Sequence, residues 1–333
     1  MSAGRFAGLL AAVIAALLLI GTGSLFIGGS DIPATHGLSL LLASEASADR
    51  TILVDMRLPR VLLAVLVGVG LAAAGAAYQG IFLNPLADPF VIGASSGAAV
   101  GATVAIVSGW QRSWGAGALP CCAFLGAMAA ITLVYLLGGY ASSLGLLLAG
   151  AAVSTIVGSL VSLLMILHDQ SIGVVFNWLL GSLATASWRE VAYGAPMIGC
   201  GVIALLLLSR PLDALALGDE TAASLGLPAT GARLAVVLAA TLTTAAAVSV
   251  SGIIGFIGLV APHAARLLVR GPSSRVLVTS CLFGALLLLV ADDAARALAP
   301  PMEIPVSIVT SLVGGPFFLV LLRRAKGAGS SFR

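Results

Sequence analysis

Three hydroxyl side chains recur along one apolar stretch at a spacing that could line a route for a solute. Thr155, Ser159 and Ser162 stand at positions i, i+4 and i+7, and residues so spaced share one face of an α-helix. Such a face either forms hydrogen bonds between packed membrane helices or is the mildly polar wall of a transport pathway. The residues alone leave both interpretations open.

The residue types that carry enzymatic chemistry are scarce. The only lysine, Lys326, is followed by Gly327 and does not stand in the GxxxxGK[ST] setting of a phosphate-binding loop. Any ATP-driven work would therefore need a nucleotide site on another chain. The three histidines are scattered and the four cysteines lie in apolar runs without a CxxC pair, so we expect no metal site and no cofactor bound by this chain. These absences disfavour a membrane-embedded enzyme.

The composition excludes most classes of protein. Of 333 residues, 9% are charged and 60% are hydrophobic, with a mean hydropathy of +1.14, whereas a soluble domain carries roughly 25% charged residues. The chain cannot cover a globular surface with polar groups, which excludes a soluble enzyme, a disordered chain and a nucleic-acid binder. We therefore predict an all-α polytopic membrane protein, with residues 1–333 forming a single transmembrane domain in a lipid bilayer.

Apolar runs near the 20-residue length of a membrane-spanning helix indicate ten spans. We split the long apolar stretch 233–261 at residues 249–252, where small residues allow a turn. Residues 169–189, only half apolar, are interpreted as a short surface helix rather than a span. The predicted spans are 6–28, 58–83, 90–109, 116–138, 144–167, 190–209, 232–250, 252–268, 276–291 and 304–322.

The basic residues indicate how these spans are oriented. With the N-terminus in the cytoplasm, ten Arg and Lys residues fall on the cytoplasmic side and six fall outside, as the positive-inside rule requires. An even number of spans then places both termini in the cytoplasm. Nearly every ionisable residue lies at a span end, whereas a proton-coupled carrier usually shows Asp, Glu or His within its spans.

Two connections between spans carry further candidates. Residues 84–89 contain two prolines that stop the helix and form either a plain turn or a gate at the inner mouth. On the outer side, Arg57, Arg60 and Arg296 have three possible roles. They are docking cations for a soluble carrier, interface anchors, or partners of a nearby Asp.

The longest cytoplasmic connection, 210–231, predicts two short helices outside the bilayer. We expect Asp219 to cap the second helix and Gly226 to end it in a left-handed conformation. The small and apolar side chains expected to be exposed there are Leu215, Leu217, Ala222, Ala223 and Leu225. Exposed leucines on short helices suit a partner's groove, and the acidic middle of the loop disfavours anionic lipid. A partner protein is the better interpretation.

Regularly spaced glycines predict close helix packing. Gly97 and Gly101 form a GxxxG spacing, and Gly252, Gly255 and Gly258 recur every third residue. Such patterns let membrane helices approach closely. We expect them to serve packing rather than ligand binding.

Several multi-residue strings stand out, in order, over roughly residues 50–325. They are 56–60 (MRLPR), Gln79 with 84–89 (NPLADP), 93–98 (GASSGA), 146–150 (LLLAG), 217–220 (LGDE), 225–228 (LGLP), 252–263 (GIIGFIGLVAPH) with Arg266, 303–305 (EIP) and 314–318 (GGPFF). Together they resemble one family, the FecCD-type permeases of bacterial ABC importers for iron–siderophores, haem and vitamin B12. Ser307 departs from that family's pattern, because glycine is common there.

The resemblance implies a type II ABC importer permease fold of about ten spans. It also implies a homodimer in the bacterial inner (plasma) membrane, two ATPase subunits that hold ATP and Mg, and a periplasmic substrate-binding protein. The binding protein would contact Arg57 and Arg296, and Arg60 belongs to the same string as Arg57. The implied gate residues are Asn84, Leu86, Ser142, Ser143 and Leu144, of which the last three match only loosely. The implied ATPase-coupling residues, within 212–227, are Leu215, Leu217, Gly218, Asp219, Glu220, Ala223, Leu225 and Gly226.

The resulting hypothesis is an ATP-driven import subunit whose cargo passes between two copies of the fifth span. Mostly neutral pathway residues permit a large flat ligand, which slightly favours haem over a ferric siderophore or cobalamin. The alternatives are a secondary carrier that works without ATP and a passive channel.

Overall fold

The computed structural model describes residues 2–28, 33, 47–138, 143–299 and 302–329, and within them all regular structure is helical. We number the principal helices in chain order. They are α1 (Ala3–Ser24), α2 (Ala48–Ile81), α3 (Ala94–Val107), α4 (Ala118–Gly138), α5 (Ser143–Leu167), α6 (Ile172–Leu179), α7 (Trp188–Leu207), α8 (Ser209–Ala216), α9 (Asp219–Ser224), α10 (Ala229–Ser251), α11 (Ile257–Leu268), α12 (Ser273–Ala297) and α13 (Val306–Gly329).

Each of the ten predicted spans corresponds to one of these helices. In the described part of the chain, α1, α2, α4, α5, α7, α10 and α12 are long and apolar enough to cross a membrane. The helices α3 and α11 have only 14 and 12 residues. They rise about 21 Å and 18 Å, less than the roughly 30 Å of a hydrocarbon core. The segment 169–189 contains the short α6, as the sequence indicates.

Irregular backbone precedes both short helices. A 3-10 turn, Pro89–Ile92, leads into α3, and residues 252–256 lead into α11 without helical structure. Gly252 ends α10 with a φ of +69°, at the predicted split, and Phe256 has a left-handed φ of +68°. At membrane depth, backbone without helical bonds is tolerated where protein covers it. Both segments are covered, because a Cβ on Gly258 would meet Pro89 and one on Gly252 would meet the carbonyl of Trp178.

Glycines allow the closest helix contacts. A Cβ on Gly68 of α2 would overlap the backbone of α12 at Gly284, and a Cβ on Gly284 would overlap α2 in return. Likewise, a Cβ on Gly97 or Gly101 of α3 would overlap the backbone of α4. The predicted packing role of Gly97 and Gly101 is therefore confirmed.

The helices differ strongly in burial. In α2, 78% of the most apolar stretch is buried, because α12, α10, α7 and α11 surround it. In α5 the corresponding share is only 17%, and Leu148, Ile156 and Ile166 are each more than half exposed. The fold therefore has a closed centre around α2 and an open flank at α5.

We name the two ends of the bundle by the orientation that the basic residues predict. The inner end carries α8 and α9, which are tied to the start of α12 where the Ser273 amide donates to Asp213 Oδ1 over 2.7 Å. The outer end carries Arg57, Arg60 and Arg296. These ends hold the candidate residues outside the spans.

Candidate functional site

The hydroxyl face of α5 is exposed along its length. Thr155, Ser159 and Ser162 are exposed, and each hydroxyl donates within α5, to the carbonyls of Ala151 (2.9 Å), Thr155 (2.9 Å) and Gly158 (3.1 Å). Such i−4 bonds satisfy a hydroxyl without a neighbouring helix. Within the described chain, these three hydroxyls therefore donate to no other helix, whereas the helix-packing interpretation would require such bonds. What α5 presents is an open, mildly polar surface.

The opposite side of α5 is anchored to the rest of the bundle. Val153 and Val161 are buried there, and Ser154 Oγ lies 3.2 Å from Ser96 Oγ at the start of α3. Ser96 Oγ also donates to the carbonyl of Gly93 over 3.0 Å. These contacts hold α5 by one side, so its hydroxyl face points away from the chain's own core.

The turn after α2 is ordered by one of the predicted gate residues. Asn84 Oδ1 accepts the amide of Leu86 over 2.9 Å, and Leu83 before it has a φ of +48°. Asn84 is exposed and Leu86 is half-buried. The predicted turn is confirmed, and a gating role for the two residues stays a prediction.

The second predicted gate lies at the start of α5. Ser142 falls outside the described residues, whereas Ser143 and Leu144 form the first turn of the helix. These positions adjoin the inner end of the hydroxyl face along the chain. Their gating role stays a prediction.

The side chain of Asp88 caps the 3-10 turn before α3. Its Oδ1 accepts the amide of Phe90 over 2.8 Å. Burial raises the pKa of this carboxyl from 3.8 to about 6, and the bond from Phe90 offsets only part of that shift.

The inner-end loop folds into α8 and α9 with one correction to its capping. Gly218, with a φ of +100°, is the N-cap of α9, and Asp219 is the first helical residue. The prediction that Asp219 caps the helix is therefore wrong, because the chain turns one residue earlier at a glycine that tolerates positive φ. Gly226 has a φ of +79° after α9, which confirms the predicted left-handed end.

The apolar side chains of this loop that the sequence predicts to be exposed divide into two groups. Leu215 and Ala222, 5% and 0% exposed, pack against Ala232 of α10, so the prediction that they are exposed is wrong. They hold the two short helices onto the bundle. Leu217 and Leu225 are 67% and 66% exposed, and they remain the side chains that a partner could bind.

The outer arginines are buried and bonded within the chain. Arg60 donates through Nε and Nη2 to Asp292, at 2.9 to 3.2 Å, and through Nη1 to Glu303 at 2.8 Å. Arg57 Nη1 donates to the carbonyl of Leu25 over 2.8 Å. Of the sequence alternatives, a pairing with a nearby Asp is observed for Arg60.

Arg296 extends the same network to the end of α1. It forms ion pairs with Asp292 and Asp293 and donates to the carbonyls of Ser24 (3.1 Å) and Ile27 (2.8 Å). All three arginines are 7% exposed. A docking role for them stays a prediction, whereas their part in joining α1, α2, α12 and the segment before α13 is observed.

A polar cleft at the outer end had no signal in the sequence, because its residues come from five separate segments. It has a volume of about 720 Å³ and lies between the α3–α4 connection, α6, the segment before α7, the end of α10 and the segment before α13. Its polar side chains include Gln111, Asn177, Thr185, Glu190 and Glu303. Within the described residues, no group of three or more His, Cys, Asp or Glu is placed to hold a metal.

Comparison with known proteins reveals extensive similarity. The sequence profile of the FecCD transport family matches residues 13–324. The cobalamin import system permease protein BtuC of Halobacterium salinarum is 42% identical over 80% of this chain and 72% of its own length. The hemin transport system permease protein HmuU of Yersinia pestis is 42% identical over 82% of this chain and 83% of its own length. A solved structure, described as an inward-facing conformation of a metal-chelate type ABC transporter, superposes with a TM-score of 0.84 at 33% identity over 95% of this chain and 99% of its own.

Proposed function

This chain belongs to the FecCD transport family, and we propose that two copies of it form the membrane passage of an ATP-driven importer. The passage runs between the two α5 helices, whose faces carry Thr155, Ser159 and Ser162. The single observation that carries this proposal is the exposure of that hydroxyl face, on a helix of which only 17% of the apolar stretch is buried. Weakly polar walls suit a passage, because tight binding would trap the cargo.

The cargo we propose is a metal chelate. Similar proteins are named for cobalamin, hemin and, in the 39% identical Fe(3+) dicitrate permease FecD of Escherichia coli, ferric dicitrate. These names divide among three chelates, so they give no support to the slight preference for haem drawn from the neutral pathway residues. The chemistry common to all three is a metal ion enclosed by an organic ligand.

Energy enters, in this proposal, at the inner end. Two cytoplasmic ATPase subunits bind Leu217 and Leu225, which are exposed on the loop formed by α8 and α9, while Leu215 anchors that loop to α10. ATP and Mg are bound by those subunits. Both termini of the chain lie in the cytoplasm, as the distribution of basic residues favours. The membrane we propose, from the family, is the bacterial inner membrane.

At the outer end a periplasmic binding protein delivers the cargo. At the inner mouth we propose two gates. One is the turn of Asn84 and Leu86, and the other is formed by residues 142–144. Rocking of the α5 flank against the closed centre around α2 would open one mouth at a time.

The test is the substitution Leu225→Asp in the complex reconstituted with its ATPase and binding protein. A charge in place of this 66% exposed leucine should prevent docking into an apolar groove and abolish ATP-driven uptake. The matched control, Ser224→Asp, places the same charge one residue earlier on α9 and removes no apolar contact. It should keep most of the uptake.

Normal uptake by Leu225→Asp would contradict the docking role. Uptake into vesicles that contain this chain alone would instead support the secondary carrier, and conductance without ATP would support the passive channel.

A further inference from the structure

The outer cleft is a second candidate site, separate from the hydroxyl face of α5. We propose that it receives an arginine or lysine side chain of the periplasmic binding protein. This inference rests on the proposed function, because it specifies how that partner is held. The cleft has a volume of about 720 Å³, which lies within the range of small-molecule pockets and leaves room for a long side chain.

Three neutral polar side chains of the cleft are available to a ligand. Gln111, Asn177 and Thr185 line it and are exposed. Each offers an oxygen acceptor beside its own N–H or O–H donors. The N–H groups of a cationic ligand can therefore donate to their oxygens.

Two carboxylates add negative charge to the cleft. Glu190 Oε2 accepts from the Ser187 amide over 3.0 Å and from its hydroxyl, and Glu303 Oε2 accepts from Arg60 over 2.8 Å. These bonds use one oxygen of each carboxylate. The Glu303 side chain is 46% exposed, so its other oxygen is accessible.

The ion pair with Arg60 offsets part of the charge of Glu303, but no basic side chain is among the described residues that line the cleft. Trp178 contributes an indole to the wall, and an indole face attracts a cation. Leu119, Pro120 and Val174 provide apolar surface on which the aliphatic stem of Lys or Arg can lie. Acceptors, negative charge, an aromatic face and an apolar wall together match a cation on a long stem.

A binding protein is the proposed source of this cation because the cleft opens at the outer end, where that partner docks. The three arginines predicted to hold the partner are instead only 7% exposed and bonded to this chain. The carboxylates of the cleft give the docking surface a contact for a cation of the partner, and Glu303 can make it with the oxygen that Arg60 does not use.

The chemistry can be tested with agmatine, a guanidinium on an aliphatic stem. The probe is titrated at low salt into the full-length chain in phosphatidylcholine nanodiscs, with Trp110, Trp114 and Trp188 replaced by Phe so that Trp178 reports binding. We expect saturable quenching by agmatine and none by neutral butylurea. Glu303→Gln and Glu190→Gln should each weaken agmatine binding at least about tenfold, because each removes a charge-assisted contact. The control, Asp55→Asn, changes an exposed carboxylate outside the cleft and should have no effect.

A gain in affinity excludes misfolding as the cause of a loss. Asn177→Asp adds a third carboxylate to the cleft and should tighten agmatine binding by several fold. Equal binding of agmatine and butylurea, or no response to any of the three substitutions, would overturn the cation site.

The source is tested with the purified, cargo-loaded binding protein and the reconstituted transporter. The double variant Glu190→Gln/Glu303→Gln should raise the Kd of the binding protein at least tenfold, and Asn177→Asp should lower it. Loss of agmatine binding with an unchanged Kd would identify a free small cation as the ligand and overturn the docking proposal. The proposed function fails separately, if the unmodified complex does not import cargo with ATP.

Discussion

At the scale of single residues, burial decides the role of a charge more than its type does. Arg60 and Asp292 lie 232 residues apart in the chain, yet they form a bidentate pair in which the carboxylate side chain is 1% exposed. In a sequence, the arginine is visible as a candidate docking cation, whereas its partner is not identified. The i, i+3 and i, i+4 spacing of Arg296 with Asp293 and Asp292 is the one part of this network that neighbouring positions indicate.

Replacing Asp292 with Asn should destabilise the folded chain by about 3 kcal/mol, because it leaves Arg60 and Arg296 with less compensation for their buried charges. The free energy of unfolding is measured by SDS titration in mixed micelles. Asp55→Asn, at an exposed carboxylate, should change it by less than about 0.5 kcal/mol. Equal effects of the two substitutions would show that the buried pair contributes nothing specific.

Asp88 should make stability depend on mildly acidic pH. Because burial raises its pKa to about 6 in the folded chain, above the ordinary 3.8, the folded state binds the proton more tightly. The contribution is therefore fully present below about pH 4 and is lost as pH rises through 6. Asp88→Asn keeps an acceptor for the Phe90 amide and should remove this component. The difference in melting temperature between the two proteins, measured in detergent from pH 4 to 7, should change with pH in that window. A constant difference would contradict the assignment.

At the scale of helices, hydropathy predicts where the spans lie but not how long each helix is. The ten spans follow from apolar runs, and the break after α10 follows from small residues at 249–252. The 14 residues of α3 and 12 of α11 could not be predicted, because the neighbouring irregular segments are equally apolar. These segments can lack helical hydrogen bonds because other parts of the chain pack against them, at Pro89, Gly181 and Gly258. Such packing is a tertiary property that the local sequence does not show.

The same limit applies to the inner-end loop. Its two short helices follow from the turn residues, but the burial of Leu215 depends on contact with Ala222 and Ala232. Every leucine of the loop looks equally free in the sequence. The cap at Gly218 differs from the predicted Asp219 by one residue, since a glycine with positive φ and an acidic helix start occur side by side.

The contact between α2 and α12 should fail when a methyl group is added. Gly68→Ala would place a Cβ on the backbone of Gly284, and we expect it to lower the free energy of unfolding by about 1 to 3 kcal/mol. Gly199→Ala on α7 is the matched control, because nothing lies within 4 Å of its added Cβ. It should be neutral or slightly stabilising. If both variants unfold alike in the same titration, close packing at Gly68 is not required.

At the scale of the whole molecule, the contrast between a closed centre and an open flank supports assembly through α5. Uniform hydrophobicity hides this contrast in the sequence, because α2 and α5 have nearly equal hydropathy of 2.2 and 2.1 while 78% and 17% of their apolar stretches are buried. The hydroxyl spacing identifies the polar face of α5. Only the fold reveals that no other part of the described chain covers it.

A cysteine at position 159 should link two copies of the chain. In a variant in which the native cysteines are replaced, Ser159→Cys faces the proposed passage, and a short bismaleimide should produce a covalent dimer on a denaturing gel. A chain that retains only Cys200, exposed on α7, should stay monomeric under the same treatment. Monomers in both samples would contradict a dimer formed along α5.

The buried arginine network also constrains biosynthesis. Arg60 leaves the ribosome 232 residues before Asp292, which at ordinary elongation rates is roughly 10 to 50 seconds earlier. During that interval α2 lies in the lipid without the Asp292 carboxylate that neutralises Arg60. Completion of α12 is therefore the event that locks the first two helices into place. A polypeptide arrested before that point would carry an unpaired guanidinium for quality-control proteases to recognise.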